Sequence, residues 1–187
     1  MQLVIEVDKF RNNPKALTNV LYYLRNNGGH VPYRSPEIEA ITCKTPSATL
    51  RHTNFVSPEG VSEAAERVFL KNPMLGIRYL KKIRRQMFQN DDTQRRFWKK
   101  VVRNADLAYQ WASAFGKRLN ENEEEVFLQS MHRMKEYSYF VIKGRFPEKM
   151  HNMILLKSYE PLSEWEKRAL NEYVKYAEKH PEMVPWK

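Results

Sequence analysis

Two stretches decide how this chain folds: Gly116–Ser130, GKRLNENEEEVFLQS, and Gly144–Ser158, GRFPEKMHNMILLKS. Each runs 14 residues from glycine to serine, and the second begins 28 residues after the first. In both, a glycine suited to end one helix precedes a capping or proline position suited to begin the next, and apolar residues follow at helical spacing. A repeat of about 20–50 residues is the mark of a helical solenoid, in which short helices stack through short loops.

The same punctuation extends in both directions from this pair. Ser57-Pro58 and Asn72-Pro73 each join a capping side chain to a proline at the first helical position, while Asn120 with Glu123 and Ser163 with Glu166 have capping-box spacing. Gly116 and Gly144 take the left-handed position past a helix end. These signals predict helices near 58–70, 73–89, 93–103, 105–115, 121–143 with a break near Ser130, 147–157 and 162–179. Tyr109, Trp111, Tyr137, Tyr139 and Phe140 fall at helical spacing beside Ala and Val and are read as core.

Residues 1–56 read differently. Leu3, Ile5 and Val7 alternate with polar neighbours as a half-buried strand does, and Asn13-Pro14 then opens a helix. Leu17, Val20, Leu21 and Leu24 form its apolar face, and Gly28-Gly29 its stop. Pro32, Pro36, Pro46 and Pro58 punctuate the residues after that helix, with β-prone pieces at 38–42 and 49–56. The expected fold is therefore mainly α: stacked short helices over 57–187, preceded by a small irregular α+β segment over 1–56.

Tyr137-Ser-Tyr-Phe-Val-Ile-Lys-Gly-Arg-Phe-Pro-Glu148 resembles a short helical repeat, Tyr-Ala-x-x-Val-Ile-Lys-Gly-Arg-Trp-Pro-Glu, found in tandem in uncharacterised bacteriophage proteins. Ala108-Tyr-Gln-Trp-Ala112 is similar to its helix start, so the resemblance spans about residues 101–158. Phe146 replaces the family's Trp, and Leu119-Asn120 stands in the other copy where Phe-Pro stands here. The resemblance implies a phage origin and a stacked-helix fold, and it brings no activity with it.

Charge supplies the functional signal. The chain holds 32 Lys and Arg against 22 Asp and Glu, a net +10. Ten of those cations and only two acids, Asp91 and Asp92, lie between Arg78 and Arg103, so this stretch alone is +8. Placed on a helical wheel, Arg78, Lys81, Lys82 and Arg85 fall within an arc of about 100°, opposite Leu80, Ile83 and Met87. On the next helix Arg95, Arg96, Lys99, Lys100 and Arg103 take one side, and Phe97, Trp98, Val101 and Val102 the other. If the two helices pair through their apolar sides, both cationic faces could flank one groove. Dense positive charge attracts a polyanion, and a phosphate backbone is the commonest ligand able to neutralise so much of it. The expected function is non-enzymatic nucleic-acid binding, RNA or DNA, through these nine residues. The alternative is a helical adaptor or inhibitor that binds an acidic host or viral protein.

Other chemistries find little footing. Cys43 is the only cysteine, which excludes an intramolecular disulfide and a thiolate zinc site, and it is read as a small buried apolar residue. His30, His52, His132, His151 and His180 lack zinc-ligand spacing and read as surface or helix-end residues, so no metal and no cofactor is expected. Gly28-Gly-His30 with Glu37, Glu39 and Lys44 superficially suggests a metal-dependent nuclease, but Lys44 stands five residues from Glu39 rather than two. Met1–Lys9 is too short and acidic for a signal peptide's apolar segment, and no apolar run is long enough to span a bilayer, so a cytoplasmic protein with no membrane partner is expected. Trp186 near the end of the chain is read as folding back onto the last helix.

Overall fold

The computed structural model describes residues 6–29 and 35–181, and among them every regular element is helical. A 3-10 turn at Val7–Phe10 leads into α1 (Pro14–Asn26). Helix hairpins follow, each a first helix and a second helix joined by a short turn. They are α2 (Pro36–Thr42) with α3 (Pro46–Phe55), then α4 (Glu63–Glu66, continued by a 3-10 turn at Arg67–Lys71) with α5 (Pro73–Lys82). Next come α6 (Asp91–Val101) with α7 (Ala105–Phe115), and α8 (Glu121–Glu124, continued by a 3-10 turn at Glu125–Gln129) with α9 (Met131–Tyr137, continued by a π-helical turn at Ser138–Ile142). The last pair is α10 (Glu148–Leu156, continued by a 3-10 turn at Lys157–Tyr159) with α11 (Glu164–Lys179). The helix starts are chemically specified: Asn13, Thr45, Ser62, Asn72, Asn104, Asn120, Ser130 and Ser163 each accept a backbone N–H at the helix entrance.

The chain forms two compact units, residues 1–97 and 98–187. In the first, α1, α3 and α5 lie side by side as one layer, and α2 and the Arg67–Lys71 turn pack on them. Leu17, Leu21, Ile38, Ile41 and Val56 fill one part of its core. Phe69 stacks on Tyr79 at 4.6 Å, and Phe88 meets Phe97 edge-on at 4.9 Å, in another. Gly76 of α5 is required there, because a Cβ would lie 2.9 Å from the Phe97 ring. In the second unit α7, α9 and α11 again form a row, over a core that includes Phe127, Met131, Tyr137, Phe146 and Tyr173.

The expected α+β segment is not there. The β-prone pieces at 38–42 and 49–56 are α2 and α3, started by Ser35-Pro36 and Thr45-Pro46. Their threonines fit a helix because each hydroxyl donates to the carbonyl four residues back: Thr42 to Ile38 at 2.8 Å, Thr49 to Thr45 at 2.9 Å and Thr53 to Thr49 at 3.0 Å. Tertiary packing thus overrides β propensity. Of the strand expected from Leu3, Leu3 and Ile5 lie outside the described residues and Val7 opens the 3-10 turn. Trp186 also lies outside them. The helix expected over 73–89 stops at Lys82, where Arg84 adopts φ 56° and the Arg85 N–H closes on the Leu80 carbonyl at 2.9 Å. Gly116 takes the left-handed position as expected, but after α9 it is Lys143, not Gly144, that does so, at φ 56°. Met87 and Phe140 are exposed rather than core, and His52 is fully buried rather than superficial.

A buried polar bolt recurs from hairpin to hairpin. The Val61 N–H donates to the Tyr79 hydroxyl oxygen at 3.2 Å, and that hydroxyl donates to Glu66 at 2.8 Å. In the second unit the Leu119 N–H donates to Tyr137 at 2.7 Å, which donates to Glu124 at 3.1 Å. Burial pushes both phenols up, so each stays a proton donor. Burial also pushes the Glu124 carboxyl up, against the pull of Arg118, which grips it at 2.5 and 2.7 Å. Both bolts join the fourth residue of the first helix (Glu66, Glu124) to the seventh of the second (Tyr79, Tyr137), the positions that Glu39 and His52 hold in α2 and α3. In the longer α11 the tenth residue, Tyr173, serves instead.

In the last copy the Phe146 N–H bonds Tyr173, and Tyr173 meets Nδ1 of His151 at 2.8 Å. The hydroxyl oxygen already accepts from Phe146, so its proton goes to a neutral imidazole. Burial, and secondarily Arg145, hold the His151 pKa below its ordinary value. The folded protein therefore binds fewer protons here than the unfolded chain. This contribution to stability is complete above about pH 6.5 and is lost as pH falls through the lower folded value. Urea midpoints measured from pH 7.5 to 5 should show a small fall that His151→Gln reduces.

Candidate nucleic-acid interface

The basic stretch is built on two helices with buried backs. In α5, Ile77, Tyr79 and Leu80 are buried, and Arg78, Lys81 and Lys82 point to solvent. In α6, Phe97 and Val101 are fully buried, while Arg95, Arg96, Lys99 and Lys100, and Arg103 in the turn that follows, are exposed. Trp98 anchors α6 further: its ring meets Trp111 edge-on at 4.7 Å and its Nε1–H donates to Glu123 at 2.6 Å. The cations thus project from fixed helices, which lowers the entropy cost of meeting a ligand.

Arg85 departs from the reading. Because α5 ends at Lys82, the residue leaves the helical face, and its guanidinium lies 3.9 Å from the fully buried Glu66 carboxylate. Glu66 is a hub: it also accepts from Tyr79, from the Gln89 N–H at 2.8 Å and from Gln89 Nε2 at 3.1 Å. Arg85 therefore balances a buried charge.

Local acids touch only part of the α6 set. Asp92 bonds Arg95 at 2.8 Å and lies 3.6 Å from Arg96, and these guanidiniums, Arg95 foremost, hold its carboxyl below the usual range. Exposed pairs of this kind contribute little and are easily exchanged for a phosphate. Arg78, Lys81, Lys82, Lys99, Lys100 and Arg103 have no acidic partner among the described residues.

In residues 1–97, α5 belongs to the layer of second helices with α1 and α3, whereas α6 is a first helix. Their apolar sides meet at Gly76 and Phe97, and the cations of α5 and those at Arg95 and Arg96 are exposed away from that contact. Sequence reading also passes over Arg67 and Lys71, both exposed. Counted along the chain, Glu63 and Glu66 cancel them, but Glu66 is fully buried and its oxygens are engaged.

The residues considered for a nuclease are otherwise employed. Glu39 is buried and accepts the Ser62 N–H at 3.0 and 3.2 Å, tying α2 to the start of α4. Glu37 is exposed beside Ser35, and Lys44 donates to the Arg11 carbonyl at 3.4 Å. His30 lies outside the described residues. Among the described residues no three His, Cys, Asp or Glu side chains converge as metal ligands. Cys43 is buried as expected, its thiol pushed up to about 11 by burial. No helix among the described residues is long and apolar enough to cross a membrane. No protein-family model, curated protein or solved structure matches this chain.

Proposed function

We propose that this protein, of bacteriophage origin, is a non-enzymatic nucleic-acid-binding protein that holds the phosphate backbone through the basic stretch from Arg78 to Arg103. One observation carries the reading: six of its cations, five on anchored helices and Arg103 in the turn after α6, have no acidic partner among the described residues. Such charge is stabilised by a polyanion, and backbone contact of this kind is indifferent to sequence. A second reading, an adaptor or inhibitor that binds an acidic host or viral protein, draws on Tyr159 and Trp165 of the last hairpin, 87% and 80% exposed. Exposed aromatics are effective protein anchors. Titration of the purified protein against labelled duplex DNA, duplex RNA and single strands at about 50 mM salt separates the two. The proposal predicts binding to at least one polymer. No binding to any of them, with one acidic protein recovered by pull-down, would replace it with the adaptor.

A further inference from the structure

The second helices of the first unit, α1, α3 and α5, contain no Asp or Glu, and they carry Lys15, Arg25, Arg51, Arg78, Lys81 and Lys82. The first helices beside them hold acids: Glu37 and Glu39 in α2, Glu63 and Glu66 in α4, Asp91 and Asp92 in α6. In the second unit the second helices are not spared, since α7 has Asp106, α9 has Glu136 and α11 has Glu164. The acid-free layer is therefore particular to α1, α3 and α5 and not a property of the repeat.

Each of these helices begins at a proline, Pro14, Pro46 or Pro73, so their positions compare directly. The eighth residues, Leu21, Thr53 and Leu80, are buried. Facing away from them are the sixth residues, Asn19, Arg51 and Arg78, and the tenth, Tyr23, Phe55 and Lys82, with Tyr22, Asn54 and Lys81 at the ninth. All are exposed except Arg51, which is half-buried. Contacts fix the register across the layer: Arg51 Nη2 donates to Asn19 Oδ1 at 3.2 Å, sixth residue to sixth, and the Phe55 ring meets Tyr22 edge-on at 5.3 Å. On its other side α3 packs beside α5. One face thus presents the rings of Tyr22, Tyr23 and Phe55 next to the cations of α5. The Arg51 guanidinium lies over Phe55, 5.6 Å from the ring centroid, and among the described residues it has no acidic partner and its Nε–H is unpaired.

We infer that this face binds single-stranded nucleic acid, with phosphates on Arg51, Arg78, Lys81 and Lys82 and unpaired bases stacked on Tyr22, Tyr23 and Phe55. Exposed rings interleaved with unpaired cations, and free of acids, match a ligand that offers flat apolar faces and anions in alternation. A duplex offers only the anions, because its base faces are already stacked. Electrostatics favour the duplex by about 0.2 decade per phosphate contact at 0.1 M salt, whereas each stacked base contributes roughly 5- to 100-fold. Two stacked bases are enough to decide for the strand. The inference rests on the nucleic-acid reading and adds to it a polymer class and a base-stacking platform.

The test measures affinity at about 0.1 M salt for a 20-base strand without self-complementarity, as DNA and as RNA, and for the matching duplexes. The proteins are wild type, Tyr23→Ala/Phe55→Ala, and Phe140→Ala, which removes an exposed ring carried by none of these helices. Wild type should bind at least one strand about tenfold or more tighter than its duplex. The double variant should lose roughly 30-fold or more on that strand and less than about threefold on the duplex, and Phe140→Ala should change neither. Damage to the fold would weaken both polymers alike. Where the double variant loses its helical circular dichroism, Tyr23→Ala serves, because that ring is 66% exposed, and roughly a fivefold loss on the strand is expected. Duplex binding as tight as strand binding, an aromatic variant with unchanged strand affinity, an equal loss on both polymers, or an equal loss in Phe140→Ala would overturn the platform and leave the nucleic-acid reading standing. Absence of any wild-type binding would overturn both.

Discussion

Glu66→Ala is expected to destabilise the protein by roughly 3–5 kcal/mol, because it removes a buried carboxylate that is the common acceptor of several groups. The carboxylate is fully buried. Tyr79 would lose its acceptor, the Gln89 N–H would be left unpaired, and Arg85 would lose the charge it lies 3.9 Å from. A cavity would open beside Phe69 and Tyr79 as well. Tyr79→Phe removes only one hydroxyl and should cost about 1–2 kcal/mol. Urea unfolding followed by circular dichroism checks both. An effect of Glu66→Ala below about 1 kcal/mol would mean that the bolt is not what holds this hairpin.

Charge reversal on α6 and the turn after it, Arg95→Glu with Lys99→Glu and Arg103→Glu, is expected to weaken nucleic-acid binding by roughly 10²–10³-fold at 0.1 M salt while leaving the fold intact. Each phosphate contact contributes about 0.9 to the slope of log affinity against log salt, so three lost contacts amount to nearly three decades between 1 M and 0.1 M salt. The fold should tolerate the change because all three side chains are exposed and α6 is held by Phe97, Trp98 and Val101 on its other side. The comparison variant is Arg85→Gln. It touches the Glu66 hub and should lower stability more than it lowers affinity. Fluorescence anisotropy with a labelled duplex, paired with thermal melts, reads both quantities.

These contrasts show where sequence was sufficient. Helix α7 runs over Ala105–Phe115, the span expected, because Asn104 caps its start and Gly116 takes the left-handed position at its end. Where an end is closed by a residue other than glycine, as at Arg84, no local signal marks it, and the helix was expected to run seven residues too far. The repeat was legible only in its last two copies. Its constant feature is a position, not a residue type: Glu66 stands opposite Tyr79, Glu124 opposite Tyr137 and His151 opposite Tyr173. Buried polar groups that satisfy one another leave no hydrophobic periodicity to read.

The candidate surface was legible to the same extent. A helical wheel placed Lys99 and Lys100 on an exposed face, since that depends only on the helix itself. It misplaced Arg85, whose direction depends on where α5 ends. Arg67 escaped notice because the buried charge of Glu66 counts in a sequence and does not count at the surface.

The most direct test of the central claim is the affinity of the unmodified protein for a 20-base-pair duplex from about 50 to 300 mM salt. A straight line of log affinity against log salt with a slope of about −5 is predicted, as expected for six cations on the phosphate backbone. No measurable binding at the lowest salt, or an affinity indifferent to salt, would contradict it.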